Sequence, residues 1–436
     1  MNYHIPRDGT DRKASCEPAS GKDRLRIGLL NVKHSPNLGD GIIAECLETE
    51  LSRIRPDWQV ASIDLAGREE YGTGLDASRG LVLRILEALP GPLRQIATSA
   101  ALSLLIATKY RPRWRRRLEG TAGVVVGGGQ LFADTDLNFP LKLRAALGEV
   151  RRAGAHAAVF GVGVAREMSK PARSLFLSGL RKVDLCHVAV RDGASRFNWN
   201  RHFSRSGLPE ASLCCDPGLL AGEIYPLAEQ SERDRPLIGL GIVNPRTLDL
   251  HSHDDDDFSV RVAREFWVKL AHALLKTGLD VSLFTNGPHD DELFLESVLS
   301  AASDPRIARA ARPRTPSDLA ATIAGFDGVA AHRLHACILA YAFRVPHVGL
   351  SWDPKLEAFF TSVGRRGYVA NHTEGEAAEI AAMVGTALDE GIDPATHART
   401  IATTRHAIEQ CAESLERAIG GANAAEPSKI EDTVGA

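Results

Sequence analysis

The stretch VAAHRLHACILAYAFRVPHVGLSWDPK, residues 329–355, holds the logic of the fold in one unit. It opens on small and β-branched residues that suit a buried strand. His332, Arg333 and His335 then crowd into a turn, the apolar run ACILAYAF follows at helical length, and HVGL reads as a second buried strand. Strand, basic turn, helix, strand is the repeating unit of a parallel sheet with helices on its faces. The charge is the odd part. A helix start already presents unpaired N–H groups and the positive end of the helix dipole. Up to three further cations there call for an anionic ligand.

The same alternation runs outward from this unit. LRIGLLNV (25–32), WQVASIDL (58–65), AGVVVGGG (122–129), HAAVFGVGV (156–164) and LCHVAVRD (185–192) read as strands. Helices lie between them, from about Gly39 to Arg53 and over FPLKLRAALGEVRRAG (139–154) for example. The pattern fades in the polar, proline-bounded YPLAEQSERDRP (225–236). It resumes with LIGLGIVNP (237–245), a helix over 258–278 and DVSLFTNG (280–287), and closes on one long amphipathic helix over roughly 375–418. The reading is α/β, with two Rossmann-like domains of parallel sheet and a cleft between them. The first spans 26–232 and the second 233–420, with a disordered lead (1–25) and tail (421–436).

Bulk properties narrow the function. A chain of 436 residues favours two domains. Apolar residues at 44% and charged residues at 25% are ordinary for a globular protein. A net charge of −3 argues against a nucleic-acid partner. The seven cysteines (16, 46, 186, 214, 215, 337 and 411) form no CxxC pair, so reduced thiols in a cytoplasmic protein are expected. The N-terminus has no apolar core of a secretory signal, and no apolar run reaches the ~20 residues of a membrane span. Residues 64–121 interrupt the alternation. There the uncharged QIATSAALSLLIAT (95–108) runs into KYRPRWRRR. Segment 95–117 reads either as a peripheral membrane helix or as a packing helix with a solvated basic end.

Ligands of open parallel sheets bind beyond the carboxyl ends of the strands. After the first strand stand Asn37, Gly39 and Asp40. Asp40 either caps the next helix or faces the cleft as a base or hydroxyl ligand. Gly127, Gly128 and Gly129 make a tight turn or let the backbone come close to something. Their spacing matches neither the dinucleotide nor the Walker fingerprint. Arg191 directly follows an apolar strand, and its planar fork suits a carboxylate or phosphate, or equally a surface salt bridge. Asp216 sits in a turn and reads as structural at least as readily. Asn244 and Arg246, then Asp353 and Lys355 in SWDPK, complete the rim. HSHDDDDF (251–258) lacks metal-site spacing and fits a solvated loop, so no metal is expected. In the opening stretch, Arg333 and His335 are assigned to the anion and His332 to packing.

With these residues in hand the chain resembles the polysaccharide pyruvyltransferase family. The resemblance covers about residues 26–365 and rests on NLGDGII, VVVGGGQLFAD, FGVGV, VRDGAS, CDPGLL, HRLHACILAYAFRVPHVGL and WDPKLEAFF in that order. It implies a fold like the GT-B glycosyltransferases, with the active cleft between domains. It also implies phosphoenolpyruvate as donor, no further cofactor, and a sugar acceptor, free, polymeric or lipid-linked, that gains a pyruvate ketal on two hydroxyls. The family's Arg/Leu/His motif maps onto Arg333, Leu334 and His335, and its strand-end arginine onto Arg191. Its Asn-x-Gly-Asp and Gly-rich turns map onto Asn37–Asp40 and Gly127–Gly129. Residues 64–121 are long and uneven for the family core.

That chemistry wants an acid, anion-binding groups and a base. His335 is expected as general acid or phosphate-binding cation. Arg333 and Arg191 are expected to clamp the donor with Leu334 and Lys355 beside them, and Asp40 to take a proton from a sugar hydroxyl. A sugar-nucleotide glycosyltransferase on the same fold and a non-catalytic glycan-binding scaffold are the rival readings.

Overall fold

The computed structural model describes residues 24–72, 91–134, 136–226, 233–248, 256–351, 354–371 and 377–424. Two six-stranded sheets organise it, and every pairing is parallel. The first contains β1 (Leu25–Asn31), β2 (Trp58–Asp64), β3 (Thr121–Gly127), β4 (His156–Val162), β5 (Leu185–Val190) and β6 (Ser212–Leu213), in the order β2-β1-β3-β4-β5-β6. The second contains β7 (Leu237–Gly241), β8 (Asp280–Phe284), β9 (Ile307–Arg309), β10 (Gly328–Ala331), β11 (His347–Ser351) and β12 (Val369–Asn371), in the order β12-β11-β10-β7-β8-β9. Val124, Val125 and Val126 are all fully buried, as are Val329, Ala330 and Ala331. Continuous apolar runs of this kind belong to strands covered on both faces.

In each sheet the strand order reverses once, at β1/β3 and at β7/β10. Crevices at such switch points receive ligands. The sequence places Asn37–Asp40 and Gly127–Gly129 at the first, and Asn244 and Arg333–His335 at the second. One apolar core joins the two halves, because it includes Leu38, Ile42 and Leu47 of helix Leu38–Ile54 together with Leu319, Ile338 and Tyr341 from beyond β9. A Cβ on Gly218 would touch Ile338 at 3.3 Å and Ile42 at 3.6 Å, so three segments converge there.

The C-terminal region departs from the sequence reading. One helix was expected over 375–418, but two form, Ala377–Glu390 and Pro394–Ala424. Gly391 adopts φ +67° and the Asp393 carboxylate accepts the Thr396 N–H at 2.7 Å, which ends one helix and starts the next. The second helix does not stay with the second sheet. Its Leu415 packs on Gly123 of β3, and Arg55 pairs with Glu416 at 2.8 Å. It continues to Ala424, into the expected tail; the rest of that tail and residues 1–23 of the lead lie outside the described residues.

Candidate active site

The loop after β1 delivers its residues through the start of helix Leu38–Ile54. Asn37 is the N-cap residue, but its side chain makes no capping bond and its buried Oδ1 has no hydrogen-bond partner. Asp40 lies one turn in and does not cap the helix. Its carboxyl is pushed up to about 6, chiefly by burial. A hydrogen bond from Ser35 and the charges of Arg191, Arg333 and Arg68 act the other way. Gly129, at φ +69°, brings backbone beside this carboxylate: a Cβ there would stand 3.2 Å from Asp40 Oδ1. Gly128, at φ +81°, gives room to Ile43, and Gly127 sits between Leu47 and the Phe160 carbonyl. The glycine run therefore combines both readings, a turn at Gly127–Gly128 and a close approach at Gly129.

Arg191 follows β5 and is largely buried, with its side chain 7% exposed. Nη2 donates to the Gln130 side-chain oxygen at 3.0 Å. Nε lies 3.5 Å from Asp192 Oδ2, and both atoms lack a hydrogen-bond partner. Asp192 itself caps helix Gly193–His202 through the Ser195 N–H. Gln130 was missed in the sequence, although it directly follows the glycine run. Asp216 caps the turn at Pro217–Leu220 with Oδ1, as a structural residue would, yet its buried Oδ2 is unpartnered. Burial raises its pKa, against the charge of Arg191.

The second rim is built differently. Arg333 donates from Nε (2.9 Å) and from Nη2 to Asp291, a carboxylate with no solvent exposure. Asn244 holds the other oxygen of Asp291 through its backbone N–H at 2.9 Å. The Asn244 side chain bonds the Asp290 carbonyl and receives the Arg246 N–H, so Asn244 braces the rim rather than facing a ligand. Burial raises the Asp291 pKa, and Arg333 opposes it. Arg333 is the N-cap residue of helix Leu334–Ala342, and His335 lies in its first turn. His332 is buried against Trp267 with ring centroids 5.1 Å apart.

His335 crosses to the first rim. A Cβ on Gly39 would lie 2.5 Å from both Cβ and Nδ1 of His335, so only glycine leaves space for this imidazole. Burial, followed by the charges of Arg191, Arg333 and Lys355, pushes its pKa down to about 3. It is neutral at physiological pH, and its buried Nε2 has no hydrogen-bond partner. Leu334, with Ile338, Phe359, Leu213 and Lys355, lines an adjoining, mostly apolar cavity of about 300 Å³ that reaches Arg191. Asp353 and most of the His/Asp stretch 251–258 lie outside the described residues.

The structure thus gathers Asp40, Arg191, Arg333, His335 and Lys355 between the two rims. Several of the buried polar atoms that lack partners among the described residues belong to this site, on Asn37, Arg191, Asp192, Asp216 and His335, and such atoms mark places where a ligand or water supplies the bond.

Solved structures share this architecture. A UDP-N-acetylglucosamine 2-epimerase superposes with a TM-score of 0.51 at 12% identity, over 92% of this chain and 97% of that one. The glycosyltransferase SnogD from Streptomyces nogalater gives 0.48 at 12% identity, over 91% and 99%. The likeness is one of fold, and the fold is GT-B-like. No curated protein matches the chain. The model of the polysaccharide pyruvyl transferase family matches residues 37–354, from the Asn37 loop to the start of helix Pro354–Ser362. The chain belongs to the polysaccharide pyruvyl transferase family.

Proposed function

We propose that this protein transfers the pyruvyl group of phosphoenolpyruvate to two hydroxyls of one sugar, forming a cyclic ketal and releasing phosphate. One observation carries the reading: three cations from both rims act on a neutral, unpartnered imidazole, with a half-ionisable carboxyl close by. Phosphoenolpyruvate offers a carboxylate and a phosphate to such a set. Arg191, with donor capacity unspent, takes one anionic group. Arg333, through the nitrogen not engaged by Asp291, and Lys355 face the other.

The donor's negative charge offsets the cations that press on His335. The imidazole then takes up a proton on binding and passes it to the methylene carbon C3. C2 becomes electrophilic, the first hydroxyl adds to it, and Asp40 accepts that hydroxyl's proton. The C2–O bond to phosphate breaks with the electron pair leaving on phosphate. The second hydroxyl closes the ring and loses its proton to the departing phosphate. Asp40 then returns its proton to solvent, matching the one His335 drew from it, so that one proton at C3 and one on phosphate balance the two lost from the sugar.

The six described cysteines are all free thiols, which supports a reducing, cytoplasmic setting. The test is phosphate release from phosphoenolpyruvate with a panel of glycans, followed by mass spectrometry. A product heavier by pyruvate less one water is expected. Turnover of a sugar nucleotide, with no use of phosphoenolpyruvate, would replace this reading with glycosyl transfer.

A further inference from the structure

The segment 91–118 stands outside the site and has its own chemistry. Helix Gly91–Leu105 passes through a π turn, Ile106–Tyr110, into helix Arg111–Leu118. One side is anchored. Ile106, Tyr110, Trp114 and Leu118 are buried in the first-sheet core, and Trp114 Nε1 donates to the Asp64 carbonyl at 3.1 Å. Arg113 donates to the Gly67 carbonyl, and Tyr110 packs on Gly67. Asp64 and Gly67 mark the carboxyl end of β2, so the anchor stands at the cleft edge of the sheet.

The other side is exposed. Ile96 is 68% exposed and Leu104 66%, with Ala100, Ala101 and Ala107 also exposed. No charged residue occurs from Gln95 to Thr108. The hydroxyls of Ser103 and Thr108 on this surface return their hydrogens to the Ser99 and Leu104 carbonyls, which makes it more apolar than its composition suggests. Six cations and no acid follow in residues 109–117. Arg111 and Arg115 are drawn to the buried Glu149. Lys109, Arg116 and Arg117 are exposed.

An apolar strip flowing into a basic cluster complements one surface in particular: acyl chains under anionic headgroups. We infer that residues 96–117 dock the protein on an anionic lipid bilayer, with Ile96 and Leu104 entering the interface and Lys109, Arg116 and Arg117 meeting headgroups. No helix among the described residues is long and apolar enough to cross a membrane, so this contact lies on the surface. Because the anchor is at the cleft edge, docking presents the site to an acceptor sugar carried on a lipid. Only that last consequence rests on the pyruvyl-transfer reading.

The test is sedimentation of the full chain with phosphatidylglycerol and with phosphatidylcholine vesicles. Binding to the anionic vesicles, weakened by salt, is expected. Leu104→Glu, and separately the triple variant Lys109→Glu/Arg116→Glu/Arg117→Glu, should each reduce it about tenfold or more. Far-UV circular dichroism and phosphoenolpyruvate titration should stay unchanged in both. No anionic-vesicle binding by the wild type, equal binding by the variants, or a dimer that Leu104→Glu dissociates without any vesicle binding would each overturn the inference. The vesicle assay contains no substrate, so its outcome is independent of the reaction proposed above.

Discussion

The carboxyl ends of the two sheets present similar residues in opposite states. On the second, Arg333 is committed to a fully buried Asp291, and Asn244 in turn braces Asp291. On the first, Arg191 meets only a neutral amide at hydrogen-bond distance, and Asn37, Arg191, Asp192 and Asp216 each retain a buried polar atom without a partner. The second rim is thus a braced wall set before any ligand arrives. The first rim keeps its hydrogen-bonding capacity for the ligand. A guanidinium that only approaches its carboxylate, as Arg191 does Asp192 at 3.5 Å, contributes more to anion binding than one fully engaged, because close hydrogen-bonded pairing neutralises more of its field. His335 belongs to the wall by sequence and to the first rim by contact, since it rests on Gly39.

This contrast can be broken at several points. The largest effect is expected at His335. His335→Ala should keep the fold and lose turnover by about 10²–10⁴-fold, the usual worth of a positioned acid. Near wild-type phosphate release would remove His335 from the chemistry. Next comes the brace: Asp291→Ala strands Arg333 beside a vanished partner and should cost about 3–5 kcal/mol of stability in denaturant unfolding. A negligible loss would mean that the wall is not preset. Gly39→Ala drives a Cβ into the base of the buried imidazole side chain, and should reduce kcat by about 10²-fold and cost about 1–3 kcal/mol of stability. Arg191→Gln should weaken phosphoenolpyruvate binding by about tenfold or more and cost less stability than Asp291→Ala, since its ion pair with Asp192 is looser, at 3.5 Å. If Arg191→Gln unfolds the protein and Asp291→Ala does not, the assignment of the two rims is reversed. The gentlest probe is pH. Asp40 titrates at about 6 and acts as a base only when ionised, so kcat/KM should fall as pH drops below 6. Asp40→Asn should remove that limb along with most of the rate.

Much of the fold was legible because buried parallel strands write themselves as unbroken apolar runs, as in LRIGLLN and AGVVVG. The helix-start cluster was legible for a similar reason: Arg333 and His335 are sequence neighbours of a strand end. What stayed hidden depends on distant partners. Asp291 stands 42 residues before Arg333, and Gly39 touches His335 from the other half of the chain. No local pattern reports either contact. Gln130 beside the glycine run, and Gly391 and Pro394 inside the last helical stretch, did carry local signals. The first lies at a strand end, and the others are ordinary helix breakers. The return of helix Pro394–Ala424 to the first sheet had no such signal, because an amphipathic face does not name the surface it covers.

The central claim is that phosphoenolpyruvate bridges the two rims and brings a proton to His335. Calorimetric titration with phosphoenolpyruvate, repeated in buffers of different ionisation enthalpy, tests it directly. Burial and the surrounding cations hold His335 at about 3, so at neutral pH it draws a proton from solvent when the bound anion lifts that pKa to about 7 or above, which the proposed proton transfer requires. Saturable binding with proton uptake that shrinks in His335→Gln is the predicted result. No binding at millimolar donor, or uptake identical in the wild type and His335→Gln, would contradict it.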